Sequence, residues 1–206
     1  MSLKKAGLLI LLILVIDQLS KVYIKTSFVL GESVEVFNWF KIVFVENAGL
    51  AWGKKIPGTY GKLLLTLFRL VAIVVIGYWL WDSSRKKAPG VLMAAISLIF
   101  AGALGNIIDS VFYGVLFGES YPQTAQFMPD GGGYAPLFYG KVVDMLHFPL
   151  FDGYFPDWFP FWGGERFSFF DPVFNIADSA ISVGVGMLLV FNKKAFPKKE
   201  APLKSE

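Results

Sequence analysis

The chain has 206 residues, of which 55% are hydrophobic and only 17% charged, with a mean hydropathy of +0.56. Soluble domains carry roughly 25% charged residues and alternate polar and apolar faces more strictly, so an integral membrane protein is expected. Cysteine is absent and His147 is the one histidine, which excludes disulfides, thiolate metal sites, a thiol nucleophile and a multi-histidine metal centre.

Any chemistry is therefore left to carboxylates. The formal charge of +3 and the pI near 9.0 do not point to nucleic acid. The basic residues cluster at the ends of apolar segments rather than along a stripe, which suits orientation in a membrane.

Four segments approach the ~20 residues that a spanning helix needs. The first, about 6–24, follows Lys4 and Lys5 and starts like a secretory signal. It lacks a small-residue cleavage pattern and continues as helix through Asp17 and Gln18, so it is read as retained. The second, about 62–81, carries one charge, Arg69. The third begins after Pro89 and runs to about 117; the fourth starts after Pro172 and covers about 173–192. Lys4 and Lys5, the Arg85-Lys86-Lys87 run and five lysines after the fourth span fall on one side, so both termini are expected in the cytoplasm.

The two outer loops would then be about 25–61 and 118–172. In the first, SVEVFNWFKIVFV alternates like a strand and ENAGLAWG supplies a turn, which predicts a small sheet on the outer membrane surface. The second is long and aromatic (GYFPDWFPFWGGERFSFF), with a glycine turn at Gly131, Gly132 and Gly133. So many aromatic rings favour the headgroup region over water, and His147, in the aromatic run MLHFPLF, is read as an interfacial side chain. The whole chain is taken as a single membrane domain, 1–206, mainly α, with a β cradle and an aromatic outer loop.

Five polar blocks interrupt the apolar frame: DQLSK, ENAGLAWG, GNIID, GKVVD and FNIAD. Asp17 and Lys21 share a helical face, as do Asn106 and Asp109, and Asn175 and Asp178 lie one turn apart. Ionisable residues within spans usually face a bundle interior and carry function, although Asp17 and Lys21 can simply neutralise each other and Asn106 can bridge helices. Asp144 and Asp178 have no evident cation beside them in the sequence. Two aspartates held close cannot both ionise cheaply, so one keeps a proton while the other acts as a base toward water. Spacing does not say which carboxylates meet, and Asp17 and Asp109 are rival partners.

In this order, on four apolar segments, the five blocks resemble the signature of lipoprotein signal peptidase, the signal peptidase II family. The resemblance implies an aspartic endopeptidase of the bacterial inner membrane, working without cofactor or metal at the outer face. Its substrates would be prolipoproteins bearing a diacylglyceryl-modified cysteine, its other partners membrane lipids and not nucleic acid, and its state monomeric. It places the catalytic pair on Asp144 and Asp178. Supporting positions fall on Asp17, Asn47, Gly49, Asn106, Asp109, Asn175 and Ala177. The family's arginine after the GNxxD block is here Ser110, so Lys141 or Arg166 is expected to meet its contacts. Long insertions, including about 115–139, separate GNIID from GKVVD and Asp144 from the fourth span.

Other functions fit less well. A small transporter would spread polar residues through the membrane depth and show an inverted repeat, which the two halves do not display. A scaffold using Ala101 and Gly105 for close helix packing is compatible with an enzyme. Ser20 and Lys21 make a poor nucleophile pair, because adjacent helical side chains point about 100° apart.

Overall fold

The structure is a computed structural model that describes residues 1–49, 60–149, 151–169 and 172–197. Among the described residues three helices are long and apolar enough to cross a membrane: α1 (Leu3–Ser27), α2 (Gly61–Arg85) and α3 (Gly90–Ile108) with its continuation. That continuation is a π-helical turn, Asp109–Tyr113, followed by the short α4 (Gly114–Leu116). Large apolar side chains stand bare on the outer faces of α1 and α2, among them Leu8, Leu12, Leu19, Phe68, Val71 and Val74. Such surfaces would be costly in water and match a lipid environment.

Helix α3 is the central element and packs against α1, α2 and α5 (Ile176–Val190). Small residues permit this. A Cβ added at Gly102 would lie 2.2 Å from the Ala177 carbonyl oxygen, and one at Gly105 would lie 2.7 Å from Asp17 Oδ2. The α3–α5 and α3–α1 contacts therefore need glycine at both positions. At the other end of the bundle Ala6, Leu80, Leu92, Met93 and Ala195 form one buried cluster, which joins the start of α1, the end of α2, the start of α3 and the short α6 (Asn192–Ala195).

The fourth apolar segment is shorter than its sequence suggests. Val173–Phe174 is a strand, β6, and the helix begins only at Ile176 and runs for 15 residues. Pro172 and the extended Asn175 account for the late start, since Asn175 serves as the N-cap of α5.

A small antiparallel sheet is present, as expected, and has more strands than the alternation in the first loop predicts. Strands β1 (Ser33–Phe37) and β2 (Phe40–Asn47) come from the first loop; β3 (Val142–His147) and β6 are added from the second. The sheet order is β1-β2-β3-β6, antiparallel throughout, with Val45 opposite Asp144 and Asn47 opposite Val142. Strands β4 (Phe151–Tyr154) and β5 (Arg166–Phe169) form a separate hairpin. Its tip stacks Phe155, Phe159 and Trp162, while Phe161 is 95% exposed.

The insertion at 115–139 packs onto the C-terminal end of α1. Leu30 N–H donates to the Ser120 carbonyl and Ala125 N–H to that of Lys25, and Phe117 is buried. Glu46 on β2 joins these parts: it accepts from Lys25, from Ser120 Oγ at 2.9 Å and from Lys141 Nζ at 2.8 Å. Burial alone would raise the Glu46 carboxyl, but Lys25 and Lys141 outweigh it and hold the group below its usual range. The Lys25 ammonium also lies over the rings of Phe44, Phe117 and Tyr134.

Candidate active site

The five polar blocks converge where α1 and α3 end, α5 begins and the sheet meets the bundle. Lys21 sits at the bottom of this cluster, fully buried, 2.9 Å from both Asp17 Oδ2 and Asp109 Oδ2. The pairing expected within α1 is therefore a three-membered one that ties α1 to α3. Each carboxylate also holds an element in place. Asp17 Oδ1 accepts from Ala177 N–H at 2.9 Å, fixing the first turn of α5, and Asp109 Oδ2 accepts from Val143 N–H at 3.2 Å, fixing β3. Gln18 donates to Asp17 and Asp109 and accepts from the Tyr113 hydroxyl. Asp17 and Asp109 are thus both engaged by Lys21 and by backbone N–H groups.

Three asparagines form the next layer, and in each the amide orientation is set by a donor on its carbonyl oxygen. Asn175 Oδ1 caps α5 by accepting from Asp178 N–H at 2.8 Å, so its NH2 group faces Asp144 Oδ1 at 2.7 Å. Asn47 Oδ1 accepts from Gly49 N–H at 3.0 Å, and its NH2 donates to Asp144 Oδ2 at 3.3 Å. Asn106 Oδ1 accepts from Lys21 Nζ at 2.9 Å and from the Asn175 amide at 3.1 Å, and its NH2 donates to Asp178 Oδ1 at 2.7 Å. Every supporting residue expected from the sequence belongs to this network. The rest of the ENAGLAWG block, Leu50, Ala51, Trp52 and Gly53, lies outside the described residues.

Asp144 and Asp178 line one cavity of about 240 Å³, together with Asn47, Gly49, Asn106 and Arg69. They come from different elements: Asp144 from the middle of β3, Asp178 from the first turn of α5. Asp144 is 4% exposed. Burial first, and then the neighbouring charge of Asp178, push its carboxyl up to about 7, against the opposing hydrogen bonds from Asn175 and Asn47. Asp178 Oδ2 has no hydrogen-bond partner among the described residues. Beside the cavity an apolar groove of about 380 Å³ shares Asp178, Pro172 and Phe174 and continues along Ser179, Ser182 and Val183. Among the described residues no group of three or more histidine or carboxylate side chains is placed to hold a metal ion.

Among the described residues the cation lining this cavity is Arg69 and not Lys141. Lys141 is paired with Glu46, and the Arg166 side chain lies outside what the structure describes. Instead Arg69 reaches across from α2: Nη1 donates to Ser110 Oγ at 3.2 Å and Nη2 to the Gly49 carbonyl at 3.3 Å. The signal was present in the sequence, since a lone arginine inside an apolar span marks a functional interior.

A sequence model of signal peptidase (SPase) II matches residues 9–193 of the chain. The lipoprotein signal peptidase of Porphyromonas gingivalis strain W83 is 52% identical over 188 residues, covering 91% of this chain and 82% of that protein. The lipoprotein signal peptidase of Amoebophilus asiaticus is 38% identical over 191 residues, covering 90% and 75%. Among solved structures, a bacterial membrane enzyme determined by the in meso method at 2.3 Å superposes with a TM-score of 0.62 at 27% identity, covering 98% of this chain and 96% of that one. With the five blocks gathered around one cavity and the match running through nearly all of the apolar frame, the chain belongs to the signal peptidase II family.

Proposed function

We propose that the chain removes signal peptides from prolipoproteins by an aspartate pair, Asp144 and Asp178, acting on water. The observation that carries this reading is their shared cavity, with an asparagine donating to each and an apolar groove opening beside Asp178. Family membership supports the peptidase activity and the substrate class.

In this mechanism Asp144 holds the proton and Asp178 is ionised, an assignment supported by the raised Asp144 carboxyl. Asp178 Oδ2 takes a proton from water as the water oxygen attacks the scissile carbonyl carbon. Asp144 gives its proton to the carbonyl oxygen, forming a neutral tetrahedral intermediate. That intermediate collapses as Asp178 passes its proton to the leaving nitrogen and Asp144 takes one back from a hydroxyl of the intermediate, which restores the pair. The products are a signal peptide with a new carboxylate and a lipoprotein with a free amine at its modified cysteine. No other cofactor enters the balance.

The apolar groove suits the lipid-bearing or apolar part of the substrate, so the scissile bond is presented from the bilayer. Holding the reactants in a near-attack geometry can lower the barrier by about 7–11 kcal/mol at best. In the proposed placement α5 is the fourth span, both termini are cytoplasmic, and the site opens at the outer face of the bacterial inner membrane. The enzyme acts as a monomer with lipids as its surroundings. Asp144→Asn and Asp178→Asn test the reading, with cleavage of a diacylglyceryl-modified precursor as the readout. Each is expected to lower kcat by at least about 10³-fold, in the range seen when a reacting group is lost. Substantial cleavage by either variant removes that residue from the pair.

A further inference from the structure

Arg69 is a guanidinium within an apolar helix, and the cations around it are mostly committed elsewhere. Lys21 is shared by Asp17 and Asp109, while Lys25 and Lys141 are paired with Glu46. Lys62, two turns earlier on α2, has no hydrogen-bond partner among the described residues for its buried ammonium and does not line the cavity. Arg69 does line it. Two of its five N–H donors go to neutral acceptors, Ser110 Oγ and the Gly49 carbonyl, and neither is a carboxylate. Ser110 Oγ in turn donates to the Asn106 carbonyl at 2.9 Å, which joins the guanidinium to the residue that holds Asp178. The charges acting on Arg69 are those of Asp178, Asp144 and Asp109, in that order.

A half-buried cation whose hydrogen bonds, among the described residues, go to neutral oxygens is expensive unless a nearby negative charge offsets its lost hydration. Here the aspartate pair is that charge. We propose that Arg69 is a positioning residue of the site: its fixed positive charge faces Asp144 and Asp178 across the cavity and balances the one negative charge of the pair. It does so from α2, because Ser110 leaves α3 without a cation at this point. The two-pronged hold on Ser110 and Gly49 demands a planar fork, so arginine rather than lysine fills the role. This inference rests on the pair acting as proposed above.

The test uses the full chain in lipid, with Arg69→Gln, Arg69→Lys and the exchange Arg69→Ser/Ser110→Arg. The first readout needs no substrate: titration of the Asp144 carboxyl by infrared difference spectroscopy, with Asp144→Asn as reference. Groups that bear on this titration are Asp178 on α5, Lys21 on α1, Asn175 and Asn47, with Asp109 facing the same arginine. Removing a unit charge from a low-dielectric cavity in Arg69→Gln is expected to raise the midpoint by about one pH unit. Arg69→Lys, which keeps the charge, and the exchange, which relocates it, should return the midpoint to within about half a unit of the parent. The second readout is cleavage. In Arg69→Gln kcat should fall about 10²-fold with KM within about threefold, and the alkaline limb of the kcat profile, set by loss of the Asp144 proton, should move up with the carboxyl; the exchange should regain at least tenfold of the loss.

An unmoved midpoint in a folded Arg69→Gln protein overturns the proposal, whatever happens to cleavage. If Arg69→Gln does not fold, a lysine variant or exchange whose midpoint shifts by a full unit overturns it equally. A parent protein that titrates as described but leaves the lipid-modified precursor intact refutes the peptidase mechanism and leaves the charge relation standing.

Discussion

Replacing Asn175 by aspartate changes one amide nitrogen to oxygen, and its consequences separate the two jobs that residue performs. The cap survives, because the retained oxygen still accepts from Asp178 N–H, and a negative charge at a helix N-terminus adds about 0.3–1 kcal/mol. The donor does not survive. The new oxygen takes the place of Nδ2, 2.7 Å from Asp144 Oδ1, at a position with no solvent exposure. Two ionised carboxylates centred roughly 4 Å apart repel by about 4 kcal/mol at an effective dielectric of about 20. Binding a proton at pH 7 costs an ordinary carboxyl about 4 kcal/mol, so the repulsion matches that cost and burial tips the balance: the variant binds one, shared between residue 175 and Asp144.

The sign follows directly. The added carboxyl has a folded-state pKa above its unfolded value of about 3.9, so the folded state binds more protons and stability falls as pH rises from about 4 through the folded value. Thermal unfolding of Asn175→Asp should therefore show a midpoint that drops with pH more steeply than the parent's, and kcat should fall at least about 10²-fold because the pair's proton is no longer its own. Asn175→Ala is the contrast: it loses the cap, about 1 kcal/mol, and the donor, without adding a titrating group. If Asn175→Asp unfolds with the parent's pH dependence and cleaves at the parent's rate, Asn175 does not donate to Asp144 and the network described here is wrong.

The buried Lys21 cluster gives a second expectation. Lys21→Met leaves Asp17 and Asp109 without their cation and should cost about 3–5 kcal/mol, read as a lowered unfolding midpoint; adding Asp109→Asn should recover part of it, and equal stability of the single variant and the parent would contradict the pairing. A third concerns Asp144 itself, whose carboxyl is pushed up to about 7. A raised acid favours the folded state at low pH, so its contribution is present below about pH 4 and is lost as pH rises through about 7, by up to about 4 kcal/mol. Asp144→Asn should flatten this slope, and an unchanged slope would place the raised group elsewhere.

Much of this site is readable from residue types alone. Asp17, Asn106, Asp109, Asn175 and Asp178 are conspicuous because each interrupts an apolar helix, where an unpaired polar group is costly, and all of them meet in the structure. The first two sheet strands are likewise visible as alternation in SVEVFNWFKIVFV. What periodicity cannot supply is long-range pairing. Strand β3 lies in a segment of mixed pattern and becomes a strand only against β2, which is how Asp144 comes to sit mid-strand opposite Val45. Helical phase also misleads at Asp109, Ser110 and Val111, three consecutive residues that are all buried because the π turn widens the helix there. Arg69 escaped pairing with Ser110 for the same reason: 41 residues separate them, and only the α2–α3 packing brings them together.

The fixed orientation of the three asparagines has a bearing on how fast the site can work. Each NH2 group points toward an aspartate, and each is kept there by a donor, a backbone N–H or Lys21, that acts on the opposite end of the amide. In the proposed mechanism the proton's change of place between Asp144 and Asp178 therefore needs no amide to turn over. In a solvent the surrounding dipoles would have to follow the charge; here they already face both of its resting places. The reorganisation that usually accompanies such a transfer is largely built out by three side chains that never change their protonation.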